Sequence, residues 1–302
     1  MKKRVITSMM LMLCLAAQQV FALRFRVRVP AGESGESSGA VKWIVYAIVA
    51  VVVAVTLYRY FFKARGFLRL FKGGFRMDEN TSLTEDQQRK ILLGAIYAAF
   101  DKGYLNTIKT GLEKEEREDR LKDDWNIDDH NTAVDALNDL KIVCKKDYSS
   151  HIAEAFKLKD QKAIEEYLSE TFVNPNDAKA CAEQIGRAFK YIGNLVKEGI
   201  VKDEAEFSRI GGVAFEATRL VAIARMCAES KYISEQEMWK YVDFADEQVH
   251  KSLTSWEDYG KSYLIGYCLW GADGYELKYR APTVKKLMNE PDSPWQHFSF
   301  AK

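Results

Sequence analysis

The sequence has few of the residues that build metal and cofactor sites. Its 302 residues include only four histidines and five cysteines. His130, His151, His250 and His297 show no metal-ligand spacing, and no two cysteines are spaced as in a structural zinc site. No glycine-rich loop has a phosphate-binding pattern, and we place Gly211-Gly212 inside a helix, where close helix packing explains both glycines. We therefore predict neither a bound metal nor a cofactor.

Acidic residues are also scarce, but only at one end of the chain. Residues 1–76 contain thirteen Lys or Arg and two acids, whereas residues 77–302 contain thirty-one Lys or Arg and forty-one Asp or Glu. The formal net charge of +1 therefore combines +11 in the first part with −10 in the second. Such an asymmetry is typical of a membrane anchor followed by a soluble body. The acidic body also argues against nucleic-acid binding, which requires a basic face.

Long apolar runs without charge occur only before residue 63. A basic start and a mainly apolar stretch predict that residues 1–23 are a signal peptide or, if uncleaved, a first membrane segment. Residues 24–40 include a stretch rich in Gly, Ser and Glu, which is typical of a flexible extracytoplasmic linker. Residues 41–62 combine an uncharged, β-branched run with aromatic residues, which predicts a transmembrane helix. The chain is thus expected to cross the membrane once, or twice if the first segment is retained.

The end of this predicted helix and the residues after it are basic and contain no acid. The basic residues are Arg59, Lys63, Arg65, Arg69, Lys72 and Arg76. Their excess over the charge before the helix predicts that the C-terminal body is cytoplasmic. We interpret residues 63–76 as a juxtamembrane segment, in which each Lys or Arg near an anionic lipid surface contributes about 1 kcal/mol to binding. The membrane is therefore an expected partner.

The body, residues 77–302, has the pattern of an all-α domain. Apolar residues recur at helical spacing almost throughout. Thr84 with Gln87, and Ser234 with Glu237, have the sequence of helix capping boxes. No part of the body alternates as a strand would. We predict a single domain built of many helices.

Motifs of the body occur in an order that resembles a known family. Trp125-Asn126-Ile127 precedes a predicted helix, and Phe215 to Arg219 is followed six residues later by Arg225. The later motifs are Tyr232 to Glu237, Ser255-Trp256, Tyr263-Leu264-Ile265-Gly266 with Trp270, and Pro291 to Trp295. Together they resemble the uncharacterised bacterial domain of unknown function 1266 over roughly residues 84–298.

The chain departs from the family's pattern at a few positions. The family has glycine where this chain has Asn126 and Lys231, and it differs again at Phe215 and Thr218. These departures indicate a divergent member. The resemblance implies a helical domain, and it implies no activity because the family has no established one.

Five polar side chains form the most suggestive set in the body: Glu216, Arg219, Arg225, Ser255 and Asp292. The first three fall in residues 207–229, which are predicted to form the most apolar helix, where charges must be paired. They form either an anion or substrate site or a buried ion-pair network, and we favour the network. The motif aromatics are likewise interpreted as core rather than as a ligand cage: Trp125, Tyr232, Trp256, Tyr263, Trp270 and Trp295.

Two functions of different classes are consistent with these features. The first is a membrane-anchored protein of the bacterial inner membrane, whose cytoplasmic domain binds a protein partner as an adaptor or scaffold. The second is an enzyme with an unrecognised cleft that uses Glu216, Arg219 and Arg225. A concave pocket lined by these side chains favours the enzyme, and a filled core with an exposed apolar groove favours the adaptor.

Overall fold

The computed structural model describes residues 74–272 and 274–301. The predicted signal or first membrane segment, linker and transmembrane helix lie outside the described residues, as do Arg59, Lys63, Arg65, Arg69 and Lys72. Arg76 is described, and its guanidinium carbon lies 3.8 Å from the centre of the Tyr104 ring. Arg76 therefore contacts the helical body directly.

Every regular element in the described residues is helical, and none is a strand, which confirms the all-α fold. The helices are α1 (Glu85–Ile91), α2 (Ala95–Phe100), α3 (Lys114–Trp125), α4 (His130–Lys145), α5 (Ser149–Leu158), α6 (Gln161–Thr171), α7 (Pro175–Lys197), α8 (Glu204–Ile210), α9 (Val213–Glu229), α10 (Glu235–Val249), α11 (Trp256–Trp270), α12 (Gly274–Asn289) and α13 (Pro294–His297). A 3-10 turn (Leu92–Gly94) joins α1 to α2. No helix in these ranges combines the length and the apolar character needed to span a bilayer.

The centre of the fold is α9. Thirteen of its seventeen residues are buried. It packs against α2, α3, α4, α10 and α11, so apolar side chains are needed on all sides of it. The functional side chains of this helix are therefore positioned by the best-packed part of the molecule.

The prediction of one helix over residues 207–229 is wrong, because the chain breaks at Gly211-Gly212. Helix α8 ends at Ile210, Gly211 adopts a φ of +61°, and α9 begins at Val213. A Cβ atom on Gly212 would lie 2.8 Å from the Cα atom of Gly266 in α11. The glycine pair therefore serves close helix packing, as predicted, but from the turn between two helices rather than from inside one.

Local signals for helix ends are confirmed where they are strong. The capping boxes at Thr84 and Ser234 are both present. Asn126 and Lys231, where the family pattern has glycine, both adopt a left-handed backbone with φ of 55° and 66°. Asn tolerates this conformation better than Lys does, so the departure at Lys231 is the more costly one.

The C-terminal motif closes the fold over an aromatic cluster. Pro294 and Trp295 open the short helix α13, although prolines at positions 291 and 294 disfavour regular structure before it. The Trp295 ring stacks on Trp256 at 5.0 Å and meets Tyr259 edge to face at 5.8 Å. These rings form part of the core and attach the C-terminus to α11.

Candidate functional site

The motif aromatics divide into buried rings and one exposed ring. Trp256, Tyr263 and Trp295 belong to the core, and Trp125 and Tyr232 are partly buried against it. Trp270, at the end of α11, is 55% exposed. Packing explains the first five rings, and Trp270 is the motif ring that exposes most of its surface to solvent.

Trp270 lies beside an ion pair on the first turns of α9. The Nη1 atom of Arg219 donates to both carboxylate oxygens of Glu216, at 3.1 and 2.9 Å. The guanidinium carbon of Arg219 lies 4.8 Å from the ring centre of Trp125 and 5.7 Å from that of Trp270. Burial raises the pKa of Glu216, and the positive charge of Arg219 opposes that rise. The pair is thus held between rings close to the surface.

A second arginine, Arg280 of α12, lies against the same group of rings. Its guanidinium carbon is 4.3 Å from the ring centre of Phe100, and 5.5 Å from those of Tyr97 and Tyr267. Burial would lower the pKa of Arg280, but the neighbouring phenol groups raise it. In the part of the chain that the structure describes, no carboxylate oxygen lies within 4 Å of this guanidinium. Arg280 thus carries a positive charge whose immediate neighbours are aromatic rings.

The two arginines contact one cluster of rings, in which the Phe215 and Tyr267 rings are tilted against each other. The Phe215 ring, 5.1 Å from the guanidinium carbon of Arg219, lies 5.6 Å from the Tyr267 ring that contacts Arg280. Beyond Arg280, the Phe100 ring is 5.2 Å from Tyr279, which is 65% exposed. We name this surface the arginine–aromatic face, and it consists of Arg219, Arg280, Tyr97, Phe100, Trp270 and Tyr279.

Arg225 has a different environment two turns further along α9. Only 2% of it is exposed, and its Nη2 atom donates to the carbonyl oxygens of Tyr104, Thr107 and Lys109 at 2.8, 2.6 and 3.2 Å. Its Nε atom is buried without a hydrogen-bond partner. Burial lowers the pKa of Arg225 to about 10. Arg225 therefore fixes the loop between α2 and α3, beside a small hollow with room for about one water molecule.

Glu229 holds the same loop from the end of α9. Its Oε2 atom accepts a hydrogen bond of 2.8 Å from the backbone N–H of Thr110. The Nη1 atom of Arg117 in α3 lies 3.4 Å from the same carboxylate oxygen. Arg225 and Glu229 thus share the task of positioning the loop, and Glu229 was not predicted because its partner is distant in sequence.

The other predicted polar residues lie elsewhere. The Ser255 hydroxyl accepts a hydrogen bond of 3.0 Å from the backbone N–H of Asp258 and so caps the start of α11. Trp270 ends that helix, roughly 20 Å away at 1.5 Å per residue. Asp292 is exposed in the turn before α13. Neither residue joins Glu216 and Arg219, so the structure divides the predicted set into four places.

The cysteines and acids of the described residues form no evident chemical centre. No group of three His, Cys, Asp or Glu in those ranges is arranged to hold a metal ion. Cys144, Cys181, Cys227 and Cys268 are free and buried. Burial raises the pKa of the Cys144 and Cys227 thiols to about 12, which keeps them protonated near neutral pH.

Fold and surface together define an all-helical domain with an exposed arginine–aromatic face. The family model described as protein of unknown function, DUF1266, matches residues 120–300. The chain belongs to this family.

A curated relative is the inner membrane protein YnjI of Escherichia coli (strain K12). It is 22% identical over 186 residues, which are 61% of this chain and 47% of that protein. The chain therefore spans about half the length of the relative it matches. No solved structure matches the chain.

Proposed function

We propose that this protein is a membrane-anchored adaptor or scaffold whose helical domain binds a protein partner through the arginine–aromatic face. The observation that carries the proposal is the exposure of Trp270 and Tyr279 beside two arginines. Trp, Tyr and Arg supply most of the binding energy at protein interfaces, because each combines a large contact area with a polar group. A partner that covers these rings would remove apolar surface from water.

We also propose that residues 41–62 anchor this domain in the bacterial inner membrane, with residues 77–302 in the cytoplasm. Residues 1–23 are a signal peptide or a first membrane segment, residues 24–40 a linker, and residues 63–76 a basic segment at the lipid surface. The charge asymmetry of the sequence supports this arrangement. The similarity to a protein named as an inner membrane protein supports the location.

The alternative of an enzyme would require Glu216, Arg219 and Arg225 to act at one point. Glu216 and Arg219 bind each other, whereas Arg225 donates to backbone carbonyl oxygens of a loop. These contacts favour a structural role for Arg225 and an interaction role for the surface at Arg219.

The proposal is tested by purifying the full-length protein from membranes with its bound partners. The comparison is between the parent, Trp270→Ala, Tyr279→Ala and the control Val173→Ala, since Val173 is a fully exposed apolar residue outside the face. We expect a partner to co-purify with the parent and with Val173→Ala and to be depleted from both ring variants. Equal recovery with all four proteins would contradict the proposal.

A further inference from the structure

We propose that the arginine–aromatic face recognises a carboxylate group on an acidic segment of a protein partner, with Arg280 as its main contact. This inference rests on the proposed interaction function, because it names the chemistry of the partner that the same surface would bind. Four features of the face support it: the packing around Arg280, the donors of Arg219, the local charge and the exposed rings.

Arg280 is held in place but remains available. The rings of Phe100, Tyr97 and Tyr267 lie within 4.3 to 5.5 Å of its guanidinium carbon, so the side chain loses little further freedom on binding. Among the described residues, no carboxylate lies within salt-bridge distance of it, and the side chain is only partly buried. A hydrogen bond with the Tyr267 side chain also orients the guanidinium, and its remaining N–H groups match a carboxylate.

Arg219 supplies a second set of donors. Both of its hydrogen bonds to Glu216 come from Nη1. In the described hydrogen bonds, the Nε and Nη2 atoms of Arg219 donate to no protein acceptor, and neither is buried without a partner. The buried rings of Phe215 and Tyr267 lie between Arg219 and Arg280, so both guanidinium groups pack against one cluster of rings.

The local charge favours a singly charged group. Arg219 and Arg280 carry two positive charges, and Glu216 carries one negative charge beside them. Asp101 is already paired with Arg120 at 2.7 Å, and the exposed Glu276 lies one turn before Arg280 in α12. Beside the rings, the charges of Arg219, Arg280 and Glu216 sum to about +1, which suits a carboxylate, whereas a phosphate monoester with a charge of about −1.5 to −2 would be only partly neutralised.

The exposed rings favour a peptide over a free small anion. Trp270 and Tyr279 stand beside the two arginines and offer apolar contact area that a small anion would leave uncovered. The rest of the domain is acidic, with a formal charge of −10 over residues 77–302, and would repel an acidic segment. The arginine–aromatic face is therefore the place where a carboxylate-bearing peptide gains both charge pairing and contact area.

The test uses the full-length protein in detergent micelles and three probes. The probes are a terminally blocked tetraglutamate peptide, the matching tetraglutamine peptide and inorganic phosphate, each titrated by calorimetry. The variants are Arg280→Gln and the control Lys278→Gln, which removes one exposed positive charge from the same helix. We expect tetraglutamate to bind at least about tenfold more tightly than tetraglutamine, which corresponds to about 1.4 kcal/mol. Arg280→Gln should weaken tetraglutamate binding by a similar factor, and Lys278→Gln should change it less than twofold.

Each contrary result overturns the inference. Absence of tetraglutamate binding, or equal binding of the two peptides, would show that the charge of the peptide is not recognised. An unchanged affinity for tetraglutamate in Arg280→Gln would show that Arg280 does not contact the peptide. Tighter binding of phosphate than of tetraglutamate would show that the face prefers phosphate to a carboxylate. If Trp270→Ala still depletes a partner from membranes while tetraglutamate fails, the interaction function stands and only this inference falls.

Discussion

Arg225 illustrates how a buried charge is accommodated by backbone carbonyl oxygens, with Glu229 one turn further along the same helix. Its Nη2 atom donates hydrogen bonds to three backbone carbonyl oxygens of the loop between α2 and α3. Buried carbonyl groups that lose their donor cost about 1–3 kcal/mol each, so the arginine stabilises the loop as much as the loop stabilises the arginine. Sequence pattern predicted a structural role for Arg225 but not carbonyl partners, which lie more than a hundred residues away.

We predict that Arg225→Met lowers the free energy of unfolding by about 3 kcal/mol, because buried carbonyl groups lose their donor. The control Arg219→Met should cost about 1 kcal/mol, since its ion pair and ring contacts lie near the surface. Thermal unfolding measures both effects, and hydrogen exchange of residues 104–112 should accelerate only in Arg225→Met. Equal destabilisation by the two variants, with no change in loop exchange, would contradict this account.

The Asp258–Arg209 pair should contribute to acid sensitivity. The Nη1 and Nη2 atoms of Arg209 donate to the two carboxylate oxygens of Asp258, each at 3.0 Å. These hydrogen bonds lower the pKa of Asp258 below its ordinary value of 3.8. Because the folded pKa is lowered, the stabilisation is present above about pH 4 and is lost as the pH falls through the folded value.

We predict that Asp258→Asn lowers the free energy of unfolding at pH 7 and that the deficit relative to the parent shrinks below pH 4. Denaturant unfolding of both proteins at pH 7 and pH 3 measures the difference. A deficit that stays constant over this range would show that the titration of Asp258 is not linked to folding.

At the scale of elements, the contact between the α8–α9 turn and α11 depends on two glycines. A Cβ atom on Gly266 would meet the carbonyl oxygen of Gly212 and the Cβ atom of Phe215. Gly193 in α7, by contrast, has no atom within 4 Å of the position that a Cβ would take. Gly266 and Gly193 therefore differ in their surroundings, although both lie within helices and have the same intrinsic helix propensity.

We predict opposite effects of alanine at these positions. Gly266→Ala should lower the free energy of unfolding by about 1–3 kcal/mol, because it overpacks the helix crossing. Gly193→Ala should raise the free energy of unfolding by about 0.5–1 kcal/mol, because alanine favours the helix. Urea unfolding compares both with the parent, and a stabilising Gly266→Ala would contradict the proposed close approach.

Elements whose determinants are local in sequence could be predicted. Capping boxes at Thr84 and Ser234 depend on neighbours three residues apart. The break at Gly211-Gly212 could not be predicted from the sequence, because it depends on a contact with α11. Arg280 was missed for the same reason: its role arises only when α12 packs beside α2 and α11.

At the scale of the whole molecule, charge separates the predicted anchor from the helical domain. Of the predicted basic segment, Arg76 contacts the domain through Tyr104 and donates to the carbonyl oxygen of Gly111 at 3.5 Å. The start of the described domain is therefore tied to its loop between α2 and α3. An arginine–aromatic face on a tethered domain would meet its partner close to the membrane.

We predict that residues 77–302 are protected from protease added outside intact spheroplasts, because the basic residues after the predicted span keep this part in the cytoplasm. Lysis of the same spheroplasts should make the domain accessible. Digestion before lysis would overturn the orientation and would place the arginine–aromatic face on the other side of the membrane.

Photo-cross-linking in living cells tests the central claim most directly. A photoreactive residue replaces Tyr279 in the full-length protein, or Val173 as the exposed control. We predict a discrete adduct with another protein from position 279, no such adduct from position 173, and loss of the adduct when Arg280→Glu is combined with the probe at 279. The same adducts from both positions, or none from position 279, would contradict the claim that the arginine–aromatic face is where this protein binds its partner.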